Sequence, residues 1–187
     1  AVGTIIDSDA KPTLAIVGPG EVNEAAGTIV YTGSLSGASS TAVSVTVDTH
    51  DATATAGSDY SAITSQVVTF APGESVKYVT VDITDDLVYE GKESYQVVLS
   101  SPSDNATIGA GKGSVTTVID DVGGTIPTPP VDGPIPPTYV PPTDDTPTVS
   151  VTIKESNKEA AEVGTAELVY VFSLDKASAY DSVITYQ

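Results

Sequence analysis

Residues 42–60 read AVSVTVDTHDATATAGSDY, and this stretch sets the pattern for the chain. Its first part alternates Val43, Val45 and Val47 with polar residues. Alternation with a period of two is typical of a β-strand that buries one face. Its second part contains Gly, Ser and Asp, residues that favour turns and loops. The stretch therefore predicts a β-strand followed by an acidic loop.

The same short apolar runs, divided by turn residues, recur across residues 11–121. Tyr95, Val97 and Leu99 alternate with polar neighbours, and residues 71–74 (APGE) form a turn signal. We predict strands at residues 12–17, 27–35, 42–48, 64–70, 76–83, 94–100 and 113–119. No segment shows helical periodicity. The pattern predicts an all-β fold, a seven-stranded antiparallel immunoglobulin-like β-sandwich.

The composition excludes several classes of protein. The 187 residues carry 25 Asp and Glu against 7 Lys, with a formal net charge of −18. This balance argues against nucleic-acid binding, which needs cations that neutralise phosphates, and against attraction to an anionic membrane surface. No run approaches the roughly 18 apolar residues of a transmembrane helix, so we expect no direct membrane insertion. The absence of Cys and the single His, His50, exclude thiolate zinc sites and multi-histidine metal sites. No nucleophile motif is present, and no Trp could line a sugar-binding cleft, so we expect that the protein is not an enzyme.

Internal repeats define the domain organisation. Residues 3–9 (GTIIDSD) resemble residues 116–122, and residues 12–16 (PTLAI) resemble residues 147–151. We therefore predict that residues 1–10 are the last strand of a preceding module and that residues 11–121 are a complete module. Residues 147–187 would then hold the first strands of an incomplete following module. The chain is expected to be a piece of a longer tandem array.

Residues 122–146 separate the second and third modules and hold eight of the thirteen prolines. This composition favours polyproline II, so we predict an extended linker that spans up to about 75 Å at about 3.1 Å per residue. The linker is expected to leave this junction free. At the other junction Asp7 and Asp9 lead almost directly into Lys11, so a bound ion could connect the two modules there.

Acidic residues of the complete module collect at one end, which we call the acidic pole. Each connection in such a sandwich reverses the chain, so alternate loops lie at the same end. Eleven of the fourteen acids of residues 11–121 fall there. They are Glu21, Glu24, Asp48, Asp51, Asp59, Asp85, Asp86, Glu90, Glu93, Asp120 and Asp121. Clustered carboxylates repel one another unless a cation neutralises them, and oxygen-only ligands select hard cations such as Ca²⁺. A solvated acidic surface is the alternative.

Four motifs, in order and at matching spacing, resemble the Calx-β domain family. They are DATATAGSDY (51–60), VTFAPGE (68–74), ITDDLVYEGKESY (83–95) and IDD (119–121). The resemblance implies a calcium-binding β-sandwich module, of a kind that occurs as tandem repeats in large bacterial surface adhesins. It also implies calcium ligands at Glu24, Asp59, Asp85, Asp86, the Val88 carbonyl, Glu90, Glu93, Asp120 and Asp121.

Departures from the family pattern affect the number of ions. Calcium-rich members have acids at the positions of Leu87, Gly91, Lys92 and Val122 of this chain. The family also occurs in the regulatory loop of sodium–calcium exchangers. We expect this module to bind one or two Ca²⁺ ions, and more weakly than those exchanger domains do.

The leading hypothesis is a calcium-binding structural repeat of an extracellular bacterial adhesin or cell-surface fibre. Calcium would stabilise the fold and stiffen the junctions between modules. The expected partners are neighbouring modules of the same array, or other copies of the chain in a fibre. The alternatives are a subunit of a polymeric filament or surface layer that shares strands between chains, and a calcium-sensing regulatory module.

Overall fold

The computed structural model describes residues 10–124, 147–155 and 168–178. The predictions for residues 1–9 and for most of the linker, residues 125–146, lie outside these ranges. Within the first range the chain forms one short 3₁₀ turn, Glu24–Ala26, and ten strands. The strands are β1 (Thr13–Val17), β2 (Glu21–Asn23), β3 (Thr28–Leu35), β4 (Val43–Asp51), β5 (Gln66–Phe70), β6 (Val76–Asp82), β7 (Val88–Tyr89), β8 (Lys92–Ser100), β9 (Thr107–Ile108) and β10 (Ser114–Asp120).

Two sheets form the sandwich. One has the order β6-β3-β1-β9 and the other β2-β10-β8-β4-β5. The long strands pair antiparallel, whereas the short strands β9 and β2 pair parallel with β1 and β10. The predicted all-β sandwich is confirmed, and each of the seven predicted strands corresponds to one long strand of the structure.

Several strands extend further toward the acidic pole than the sequence pattern indicated. Strand β4 continues to Asp51 because residues 49–51 pair with Tyr95–Val97 on β8. Strand β8 begins at Lys92, and β10 runs to Asp120, which is its partner. Acidic side chains therefore stand on paired strand ends as well as on loops. Asp48, by contrast, lies within β4, where it accepts hydrogen bonds from Ser65 N at 2.7 Å and Ser100 Oγ at 3.5 Å.

The chain crosses to the other sheet directly after the predicted first strand. β1 pairs with β3 up to Val17, and the short strand β2, which was not predicted, then joins the opposite sheet beside β10. Gly18 lies at this crossing, directly over the ring of Tyr31. A Cβ atom at residue 18 would lie 2.3 Å from Tyr31 Cδ1, so only glycine lets the chain cross here.

The alternating pattern places the core between the sheets. Val43, Val45 and Val47 are all buried on β4, as are Ile29 and Tyr31 on the facing β3. The tyrosines add a polar network inside this apolar core. The Tyr31 hydroxyl hydrogen bonds with the Tyr95 hydroxyl at 2.6 Å and with Thr117 Oγ1 at 2.7 Å, so it connects the two sheets.

The remaining described residues repeat the start of the module. Strands β11 (Val149–Glu155) and β12 (Leu168–Leu174) form an antiparallel hairpin in which Val149 pairs with Leu174. Leu14 pairs with Leu35 in the β1–β3 hairpin at the corresponding place. A two-residue strand, β13 (Ala177–Ser178), follows. The hairpin agrees with a following module, whereas the complete domain division stays a prediction.

Both hairpins are closed by the same pair of hydrogen bonds. Ser36 N donates to Thr13 O at 2.9 Å, and Ser36 Oγ accepts from Thr13 N at 2.9 Å. In the second hairpin Asp175 N donates to Thr148 O at 3.2 Å, and Asp175 Oδ1 accepts from Thr148 N at 2.6 Å. The second hairpin therefore repeats the first in the register of its backbone pairing as well as in sequence. Among the described residues, no helix is long and apolar enough to cross a membrane.

The tyrosine network leads to a stability prediction. Tyr31→Phe should lower the free energy of unfolding by about 1–3 kcal/mol, because Tyr95 and Thr117 lose a buried hydrogen-bond partner. Tyr31→Phe combined with Tyr95→Phe should cost less than the sum of the two single changes, since neither variant ring then leaves an unpaired hydroxyl opposite it. Urea unfolding of the four proteins measures both quantities. Additive losses would show that the two hydroxyls do not interact.

Candidate metal centre

The acidic pole is built where four segments of the module meet. The 3₁₀ turn at Glu24–Ala26 lies beside the 52–65 loop, the 83–91 loop and the end of β10. Backbone hydrogen bonds join these segments: Ile83 N donates to Gly27 O at 2.7 Å, and Thr84 N donates to Asp59 O at 2.9 Å. The acidic side chains are thus held by a connected backbone.

Glu24 is the acid of the 3₁₀ turn, and it is buried. Its side chain is 5% exposed, and Oε2 has no hydrogen-bond partner among the described residues. Burial raises the pKa of Glu24 to about 8, with contributions from the charges of Asp121, Asp86 and Asp85. A buried carboxylate oxygen without a partner carries a full desolvation cost, so it calls for a cation or a proton.

The turn that carries Glu24 is fixed by Asn23. The Asn23 side chain caps the turn by accepting a hydrogen bond from Ala25 N at 3.0 Å. Its Nδ2 donates to Asp120 O at 3.2 Å and to Gly123 O at 2.7 Å. Glu24 is therefore attached to the end of β10.

Asp59, Glu90 and Glu93 form the closest group of carboxylates. Each offers one oxygen, and these three oxygens lie within 4.8 Å of one another. Burial and a hydrogen bond with Asp59 raise the pKa of Glu93 to about 7. The pKa of Glu90 is also raised, by burial and by the charges of Asp59, Asp86 and Asp121. The group accordingly concentrates negative charge in a small volume.

Backbone amides hold the acids in place. Asp59 Oδ2 accepts a hydrogen bond from Thr55 N at 2.6 Å. Asp121 is buried, and its Oδ2 accepts from Glu90 N at 2.5 Å and Gly91 N at 3.0 Å. On the exposed side of the same loop, Asp86 Oδ1 accepts from Val88 N at 2.7 Å.

Asp120 is turned toward a lysine instead of toward the carboxylate group. Lys92 Nζ lies 3.0 Å from Asp120 Oδ2 and 2.9 Å from Glu21 Oε1. Burial raises the pKa of Asp120, but the hydrogen bonds from Lys92 and from the amides of Val122 and Gly123 outweigh it and lower the pKa below its ordinary value. Hydrogen bonds to Glu21 and Asp120 raise the pKa of Lys92.

The structure thus divides the nine predicted ligand residues into groups. Asp59, Glu90 and Glu93 come together, and the charges of Asp85, Asp86 and Asp121 act on Glu24. Asp120 pairs with Lys92, and Val88 lies half-buried on β7.

The ion pair of Glu21 with Lys92 was not anticipated from the sequence, since the two residues are 71 positions apart. The one sequence signal for this ion pair is the positive charge of Lys92 within the acidic motif of residues 83–95. The sequence comparison with the family marks Lys92 as a departure but does not identify its partners.

The hydrogen bonds that hold the 52–65 loop were also not predicted from the sequence. Asp51 accepts hydrogen bonds from Ala56 N at 2.9 Å and from the Tyr60 hydroxyl at 2.5 Å, which closes the 52–65 loop. The Tyr60 ring stacks on Tyr95 with centroids 4.3 Å apart. The loop that carries Asp59 is therefore anchored in the core.

A ligand set of carboxylate oxygens, one of them buried without a hydrogen-bond partner among the described residues, fits a hard cation such as Ca²⁺.

Comparison with solved structures agrees with this fold. The apo-form Calx CBD1 domain is 26% identical, with a TM-score of 0.52, over 57% of this chain and 96% of its own length. The calcium binding domain CBD12 of CALX1.1 is 29% identical, with a TM-score of 0.51, over 54% of this chain and 42% of that one.

Comparison with curated proteins adds a relative from Homo sapiens. FRAS1-related extracellular matrix protein 1 is 32% identical over 80 residues, which is 43% of this chain. The chain spans 4% of the length of that protein, so the similarity concerns a small part of it. The Calx-beta domain model itself matches residues 7–122, more than half of the chain. The order of loop motifs, the two-sheet sandwich and this match agree, and the chain belongs to the Calx-beta domain family.

Proposed function

We propose that residues 11–121 form a calcium-binding structural module. The observation that carries the proposal is Glu24 Oε2, a buried carboxylate oxygen without a described partner at a pole where other carboxylates converge. Asp59, Glu90 and Glu93 would supply the central ligands, with Glu24 as the buried donor. Asp85, Asp86, Asp121 and the Val88 carbonyl are further oxygen donors of the same pole, and Asp120 would join them only after release from Lys92.

The function follows from linkage between binding and folding. Without a cation, the carboxylates of the pole repel one another and oppose the folded state. Calcium that binds only the folded pole would add about 2.7 kcal/mol of stability at a hundredfold excess over its dissociation constant. Extracellular modules typically bind calcium with dissociation constants of about 10⁻⁴–10⁻³ M. Such a module would be loaded, and stiff, in calcium-rich surroundings.

We further propose that the module belongs to an extracellular or cell-surface tandem array, in a bacterial adhesin or fibre. The repeated hairpin β11–β12 supports the array, since it matches β1–β3 in register and in its closing hydrogen bonds. The extracellular setting is supported by similarity to an extracellular matrix protein. A structural role without enzymatic activity agrees with a calcium-binding domain family.

Glu24→Gln tests the metal site through two effects of opposite sign. In chelator the melting temperature should stay equal or rise, because a buried Gln, unlike Glu24, needs neither a proton nor a cation to be neutral beside Asp121 and Asp86. In millimolar calcium the rise in melting temperature seen for the parent protein should be largely lost. Thermal melts in calcium and in chelator measure both effects.

Asp104→Asn is the matched control, because Asp104 is exposed and lies at the opposite pole. It should leave the calcium-dependent shift intact, whereas Asp85→Ala with Asp86→Ala should abolish it. A parent protein whose melting temperature is the same in calcium and in chelator would disprove calcium binding.

Stability without calcium should fall as the pH rises from 5 to 8. The pKa values of Glu24 and Glu93 are raised from 4.5 to about 8 and about 7, so the folded chain binds more protons than the unfolded chain in this range. Their protonated forms favour folding below pH 4.5, and this contribution is lost as the pH passes 7 and 8. The lowered pKa values of Asp51 and Asp120 act below this window.

Melting temperatures in chelator at four pH values measure this dependence. Calcium should reduce or reverse the decline, because it binds the deprotonated carboxylates. A melting temperature in chelator that rises between pH 5 and 8 would contradict the raised pKa values.

Lys92→Gln should change the number of bound ions. In the parent protein the Lys92 ammonium neutralises Asp120 and Glu21. Its removal should lower the melting temperature in chelator. The exposed pair with Glu21 contributes about 0.2–1 kcal/mol, and Asp120, which is buried, also loses its cationic partner. The freed carboxylates should then bind cation, which isothermal titration calorimetry would detect as a larger stoichiometry. Lys112→Gln, at the opposite pole, is the control and should change neither quantity. An unchanged stoichiometry would show that Lys92 does not limit the number of ions.

A further inference from the structure

The second hairpin ends against the acidic pole of the module. Strand β13 pairs in parallel with β7, with Ala177 opposite Val88 and Ser178 opposite Tyr89. Strand β7 lies in the 83–91 loop, between the candidate ligands Asp86 and Glu90. The expectation that the proline-rich linker leaves this junction free therefore differs from the structure. Polyproline II sets the greatest distance that a linker can span, and it does not keep the joined parts apart.

The position of β13 in the repeat identifies the surface that makes this contact. Residues 173–178 (SLDKAS) correspond to residues 34–39 (SLSGAS), which follow directly after β3. The two closing hydrogen bonds of each hairpin fix this correspondence in three dimensions. β13 thus occupies the place of Ala38 and Ser39, a corner of the complete module that lies at the pole opposite the acidic one.

Chain direction makes these two surfaces neighbours in an array. Strand β10 ends at the acidic pole, whereas β1 begins at the opposite pole beside residues 38–41. A following module therefore presents its opposite pole to the acidic pole of the module before it. In the complete module this corner is a concave surface of about 510 Å³, lined by residues 10–12, residues 38–41 and Asn105.

The acidic 83–91 loop meets a segment that carries one lysine, so charge favours the contact locally. The 83–91 loop carries Asp85, Asp86 and Glu90 together with Leu87, which is 68% exposed. In the following hairpin Lys176 immediately precedes β13 and follows Asp175, and Thr146 stands at the place of Lys11 in the sequence. Opposite charges on facing surfaces orient partners and disfavour other arrangements.

We propose that β7 is the docking edge for the following module of the same chain. That module adds β13, the strand after its first hairpin, to the 83–91 loop. Addition of a strand to a free edge supplies main-chain hydrogen bonds without new side-chain chemistry. The calcium dependence of this contact, but not the contact itself, rests on the proposed function. An ion held by Asp86, Glu90 and their neighbours orders both ends of β7, so binding of the ion and docking of the next module favour each other.

Cysteine crosslinking in the full chain tests the contact, because the protein has no native Cys. Tyr89→Cys with Ser178→Cys places one thiol on each paired strand. Tyr89→Cys with Ser150→Cys is the control, since Ser150 is exposed on β11 of the same hairpin. Both reduced variants are first melted in calcium to verify that they fold. Disulfide formation in dilute protein under mild oxidation is then followed by non-reducing electrophoresis and mass spectrometry.

The paired variant should form a disulfide within one chain at least about tenfold faster than the control, because the contact raises the effective concentration of the thiols. Calcium should increase this rate relative to chelator. Equal rates for the two variants, or a disulfide formed only between chains, would overturn docking within the chain. A fast disulfide that calcium does not affect would overturn the coupling alone. Melting of the parent protein with and without calcium separately tests the metal site, so the two failures are distinguishable.

Discussion

Glu24 and its neighbours set the condition that the rest of the module must meet. A carboxylate oxygen is buried without a described partner beside Asp121, and the group of Asp59, Glu90 and Glu93 adds further charge at the same end. Such a pole cannot be made by loops alone, because mutual repulsion would open them. The long strands, the 3₁₀ turn and the tyrosines are arranged so that these acids stay close when the surrounding sandwich is folded.

The aromatic network transmits this constraint into the core. Tyr60 joins Asp51 at the pole to Tyr95 in the sheet, and Tyr95 joins Tyr31 in the opposite sheet. The carboxylate at the end of β4, the stacked ring pair and the buried hydrogen bond between two hydroxyls thus form one continuous path. Thr117 extends the path to Pro19, close to where the chain crosses between sheets. Core and pole are therefore joined by direct contacts, and Tyr95 supports the 52–65 loop through the ring of Tyr60.

Local pattern was sufficient to predict the long strands and their buried faces, since alternation alone marks Val43, Val45 and Val47 as buried. It was not sufficient for features that depend on distant pairings. Extension of β4 to Asp51 depends on β8, and the position of Asp120 depends on Lys92. Motif spacing located the acids that surround the pole, but it could not determine which of them face each other and which face a lysine. That division depends on the register between strands that are distant in the sequence, and motif spacing does not determine this register.

The two poles of the module differ in charge, and this difference matters for assembly. Its acids collect where β10 ends, and Lys11 and Lys112 are exposed at the other pole. Where successive modules of such an array touch, they present unlike poles to each other, because each module begins at the pole opposite to the one where it ends. The pairing of β13 with β7 is one instance of that contact. Since the same 83–91 loop carries candidate ligands and the docking edge, an ion there would act on the fold and on the junction together. Stiffness of the array would then be a consequence of chain direction and charge placement, without a dedicated joint.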